Sequence, residues 1–164
     1  MVALLAVSAQ VMLPVGPVPF TLQTLVLAMM PSALDRTTAN IALAAYVLLG
    51  ACGLPVFSGF GAGAAALLGP TGGFLWGFVL GNALAGGLYS AAPQRLGAYG
   101  RSLVAAALML LVSYACGTVQ LMVLMSLDLL EALAIAVIPF VIPDLVKICI
   151  GARLGCTIGR VLAK

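Results

Sequence analysis

Two side chains that could do chemistry stand together near the end of the chain. In "IPDLVKICIG" (residues 142–151), Asp144 and Lys147 lie three residues apart inside an otherwise apolar run. On a helix that spacing puts both on one face. An ionised aspartate only accepts hydrogen bonds and a lysine only donates them. The pair therefore suits a neutral or zwitterionic ligand that carries N–H and C=O groups together. Three readings stay open at this point: an ion pair that lowers the cost of burying both charges, a ligand-binding spot, or the acid and base of a small membrane enzyme. The enzyme would be thinly supplied, because the chain has no His and no metal cluster to support the pair.

A second feature is the stretch 53–74, "GLPVFSGFGAGAAALLGPTGGF". Seven Gly and two Pro within 53–73 disfavour a regular helix. The segment is too apolar for a free aqueous loop, and irregular backbone at membrane depth must be buried in protein or line a cavity. It reads either as a lid or cradle over an outward-facing pocket or as a packed re-entrant loop. Gly151, Gly155 and Gly159 recur every four residues and permit close helix contact, within the chain rather than between copies. Gln23, Asn40, Asn82 and Gln120 are uncharged polar residues within apolar segments, suited to bonding neighbouring helices. The four cysteines show no CxxC spacing and read as small apolar filler, with Cys149 and Cys156 seven apart on one helix.

The composition fixes what must carry these residues. Of 164 residues, 64% are hydrophobic and 7% charged, against about a quarter charged in soluble domains. The chain is read as an all-α integral membrane protein, a single domain over 1–164. A net charge of +3 is too small and dispersed for a nucleic-acid surface. No GxxxxGK[ST] run is present for ATP, and carboxylates are absent from the middle of the first five spans, which leaves little for a proton relay. No signal peptide is expected; the apolar start reads as a first span with a short or missing flank.

Turn formers and charges divide the chain into six expected spans, at about 1–14, 20–34, 38–52, 72–91, 102–126 and 141–163. "PVGPVPF" (14–20) separates the first two, the Gly/Pro-rich lid lies between helices 3 and 4, and "DLLEALAIAVIP" (128–139) reads as an interfacial helix before the sixth. Six spans place Arg36, Arg95, Arg101, Arg160 and Lys164 on one side and Asp128 and Glu131 on the other. By the positive-inside rule the basic side, with both termini, is cytoplasmic. Arg153 would snorkel or face a partner, and Lys147 alone stands against the pattern.

"VPFTLQTLVL" (18–27), "YVLLGACGLPVF" (46–57), "GPTGGFLWGF" (69–78) and "IPDLVK" (142–147) resemble the signature blocks of the BioY family. These are biotin-binding S components of energy-coupling-factor (ECF) vitamin transporters. The resemblance implies a six-helix protein of the cell membrane that binds extracellular biotin, closes lid loops over it, and docks on a transmembrane T component powered by two cytoplasmic ATPases. It implies no enzyme activity, cofactor or metal, and membrane lipids as surroundings. Asp144 and Lys147 match the D-x-x-K that contacts biotin. Gly59, Gly61 and Gly63 match the Gly-rich lid, Gly73 and Phe74 the G-G-aromatic after it, and Gln23 the glutamine of the "PFTLQ" block. Phe57 and Phe74 would enclose the apolar part of the ligand.

The chain departs from the pattern in three places. The lid has no Asn. Leu75 stands where some relatives carry a basic residue. Ala3, Ala6 and Ala9 only partly match the Ala-x-x-x-Ala docking face of the first helix. An S component for another vitamin, the small membrane enzyme, and a structural or pore-forming subunit are the alternatives.

Overall fold

Proline, glycine and a few caps decide where helices begin and stop. The computed structural model of the protein describes residues 1–14 and 16–162; Lys164, expected among the basic residues of one side, lies outside them. Helix α1 spans Val2–Gln10. It ends there rather than running to 14, because the chain turns into strand β1 (Met12–Leu13), paired antiparallel with β2 (Phe20–Thr21). Pro14, Pro17 and Pro19 cannot donate to a helix, so the "PVGPVPF" break becomes the tip of a small hairpin. Helix α2 (Gln23–Ala33) follows directly. Helix α3 (Arg36–Ala51) begins at Asp35, whose carboxylate accepts from the Thr38 N–H at 2.9 Å and the Thr38 hydroxyl at 2.6 Å. These bonds hold the Asp35 carboxyl below the usual carboxylate range.

The Gly-rich stretch holds more order than its composition suggests. After a single helical turn at Ser58–Phe60, a six-residue helix α4 (Gly63–Leu68) forms across its alanines. Gly63 enters it with φ of +75°, a conformation that costs glycine little. Helix α5 (Gly72–Ala91) matches expectation. Helix α6 (Gly97–Met125) starts about a turn earlier than expected. Helix α7 (Leu129–Ala136) opens with a capping box between Asp128 and Glu131. It meets α8 (Ile138–Leu162) at a bend of 42°. Pro139 stands in the first turn of α8, where its missing N–H is tolerated but a continuation of α7 is not.

Two stretches, Gly72–Ala91 and Gln94–Met125, are long and apolar enough to cross a membrane, and the bent α7–α8 pair would make a third. The 9, 11 and 16 residues of α1, α2 and α3 would span only about 14, 16 and 24 Å, against a hydrocarbon core of about 30 Å.

Two ladders of small residues pull the helices together. Gly151, Gly155 and Gly159 of α8 lie against α2, where any Cβ would overlap Leu25 O, Met29 O and Ser32 O. This stripe therefore packs within the chain. A second stripe, absent from the sequence reading, runs through Gly73, Gly77 and Gly81 of α5. It lies on the backbone of α6, and a Cβ at Gly81 would come 2.8 Å from Met109 O. Such close approach supplies the dispersion contacts on which helices in lipid depend. Amides tie further pairs: Asn82 Nδ2 donates to Asn40 Oδ1 at 2.8 Å and Gln23 Nε2 to Tyr46 Oη at 2.8 Å.

Three arginines cluster at one end. Arg36 lies along Gly86 and Gly87, Arg101 donates to Tyr89 O at 2.9 Å, and Arg153 stacks 5.0 Å from the Tyr99 ring centre. Asp128 and Glu131 sit beyond the other end of α6. The three alanines of α1 that only partly match the docking pattern do not share one face: Ala3 is exposed and Ala9 fully buried, because a three-residue step drifts about 60° around a helix. Nor do the two α8 cysteines share surroundings, since Cys156 is buried and Cys149 exposed.

Candidate functional site

Asp144 and Lys147 occupy the second and third turns of α8, 3% and 6% exposed. Lys147 Nζ lies 2.7 Å from Asp144 Oδ1 and donates also to Thr21 O of the hairpin at 2.6 Å. It rests 3.5 Å from the centre of the Phe20 ring. Asp144 Oδ1 takes a second bond from Thr24 Oγ1 of α2 at 2.9 Å. Its Oδ2 takes one from Tyr114 Oη of α6 at 2.7 Å. One carboxylate thus gathers α2, α6 and α8, with the hairpin bound through Lys147. A carboxylate has about four lone-pair directions. Three are used by the protein, and the fourth, on Oδ2, has no partner among the described residues.

This network forms the polar end of a cavity. Its other lining is largely aromatic and aliphatic: Phe57, Phe74, Leu75, Phe78, Leu110 and Phe140, with Ser58, Thr71 and Ser113 between them. About 80 Å³ remains in which the centre of a water-sized group can move, several times what one water needs. Two aromatic walls are seated on helix glycines. The Phe57 ring occupies the place a side chain would take at Gly50, and the Phe74 ring that at Gly117. Phe57 also meets Tyr46 edge-on, ring centres 5.5 Å apart.

The Gly-rich segment, whose Phe57, Ser58, Ala66 and Thr71 line this cavity, is held from two sides. Gln10, the last residue of α1, donates from Nε2 to Phe57 O at 2.9 Å and accepts the Phe60 N–H on Oε1 at 2.9 Å. Gln120 of α6 donates to Gly69 O at 2.6 Å and Leu67 O at 3.2 Å. Phe60 is 70% exposed with φ of +59°, a left-handed conformation that costs a bulky residue.

Of the residues singled out from the sequence, Asp144, Lys147, Gln23, Phe57 and Phe74 line the cavity. Gly59, Gly61, Gly63 and Gly73 are not among its lining residues. Gly59 turns the lid with φ of +64° beside Met12, Gly61 pairs with Phe57 across an isolated bridge, and Gly63 admits α4. Gly73 is spent on the contact with α6. Thr21, Thr24 and Tyr114 also line the cavity, and Phe20 lies against Lys147; none of the four was singled out from the sequence. Thr24 is the neighbour of Gln23, but a hydroxyl inside an apolar segment is a weak signal. Its partner Asp144 lies 120 residues away.

The BioY family model matches residues 1–164. The "Biotin transporter BioY" of Thermotoga maritima is 40% identical over 93% of this chain and 88% of its own. The "Biotin transporter BioY2" of Lactococcus lactis is 35% identical over 98% and 87%. The crystal structure of an S-component for biotin from an ECF-type ABC transporter superposes with a TM-score of 0.86, over 99% of this chain and 87% of that one, at 23% identity. With a family match along its whole length and relatives aligned nearly end to end, this chain belongs to the BioY family.

Proposed function

We propose that the chain captures biotin from outside the cell, as the membrane-embedded S component of an ECF-type transporter. The observation that carries this is the buried Asp144–Lys147 network closing the polar end of an aromatic cavity beneath a latched lid. Biotin carries two ureido N–H donors and one C=O at one end, with an apolar ring and chain behind. The free lone pair of Asp144 Oδ2 accepts a ureido N–H. The oxygens of Thr24 and Tyr114, whose protons face Asp144, accept the other. Lys147, its ammonium resting on Phe20, keeps Asp144 charged and aimed at the ureido ring. Phe57, Phe74 and Phe140 enclose the apolar part.

In this reading α1, α2, α3, α5, α6 and the α7–α8 unit form six membrane-embedded elements, the shorter ones completed by the hairpin and lid. Both termini and the arginine end face the cytoplasm. The protein does no covalent chemistry; a T component and two ATPases supply the work of release. Titrating purified protein with biotin and a panel of other vitamins tests the assignment. Saturable binding of biotin alone is expected. Saturation by a different vitamin with none by biotin would overturn it.

A further inference from the structure

Among the described residues that line the cavity, the only ionised groups are Asp144 and Lys147, and each neutralises the other at 2.7 Å. Two of the three Lys147 N–H groups are already committed, to Asp144 Oδ1 and Thr21 O, and the ammonium rests on Phe20. Among the other cations, Arg36, Arg101 and Arg153 are held at the far end of the bundle, against α5 and the first turn of α6. Away from the pair, the lining offers neutral hydroxyls among phenylalanines and leucines. A carboxylate drawn into that region loses its hydration and meets neutral hydroxyls but no free cation. A ligand acid therefore gains no ion pair there, and an uncharged amide serves equally well.

Resting on the biotin reading above, we infer that this protein recognises the cyclic-urea head and does not read the acid, so that it also takes biotin conjugated through its carboxyl group as an amide. The ligand class is then wider than the free vitamin: cyclic ureas whose side chain ends in a neutral, amide-linked group.

The test uses wild-type protein in lipid nanodiscs and two probes, biotin and its primary amide, titrated separately at pH 7. Dissociation constants within about threefold of each other support the inference. A larger loss for the amide, with biotin still saturable, overturns it while leaving the biotin assignment standing. If neither probe binds, both readings fall together.

Discussion

Asp144 holds three protein donors before any ligand arrives, and that changes what its removal does. Asp144→Asn leaves the Lys147 ammonium buried beside a neutral amide and the Thr21 carbonyl. Breaking a buried pair in this way costs about 3–5 kcal/mol of stability. Replacing both charges, as in Asp144→Asn with Lys147→Met, removes the stranded ammonium and is expected to recover most of that loss. The double variant should still fail to bind biotin. Thermal unfolding in detergent alongside a biotin titration separates the two roles, and a double variant with wild-type affinity would take the pair out of the site. At this scale the pair was legible, since charges in an apolar run have few explanations. Thr24 and Tyr114 were not, because a threonine hydroxyl can satisfy itself on its own helix and a tyrosine's can reach an interface, and only the packing of α2, α6 and α8 shows that these two turn to Asp144.

Elements were legible where the chain is broken and obscure where it is joined. Proline marks the hairpin and the start of α8. The alanines of 64–66 were hidden behind the glycines around them, so α4 was missed. The stripe Gly73, Gly77, Gly81 escaped notice because Gly73 was read as a ligand contact, whereas its missing side chain lets α6 approach. The lid's attachment to α1 was equally silent, since Gln10 and Phe60 are 50 residues apart. That attachment makes a definite claim. Gln10→Leu removes two hydrogen bonds that hold a strained turn, together worth about 1–2 kcal/mol. Amide exchange across residues 57–69 should then speed up by about 5–30-fold, with faster biotin dissociation. Hydrogen-exchange mass spectrometry reads the first and a chase experiment the second. Exchange unchanged in that segment would show that Gln120 and the seating of Phe57 on Gly50 hold the lid without Gln10.

Across the whole molecule, α6 orders the charges. Arg101 stands near its start and Tyr114, bonded to Asp144, 13 residues further on, about 20 Å along a helix. Asp128 and Glu131 cap α7 just beyond its other end. The hairpin tip and lid share the cavity end, while the α2–α3 and α5–α6 connections share the arginine end. Lipid bilayers sort such a molecule by its Lys and Arg, not by its carboxylates, so the arginine end should face the cytoplasm and the cavity should open outward. Two exposed positions report this, Pro17 at the hairpin tip and Gln94 between α5 and α6. With the exposed Cys52 and Cys149 first replaced by Ala, a membrane-impermeant maleimide should label Pro17→Cys on intact cells. It should label Gln94→Cys only after permeabilisation. The opposite pattern would turn the cavity toward the cytoplasm, where Lys147 would obey the rule and the arginines at the far end would break it.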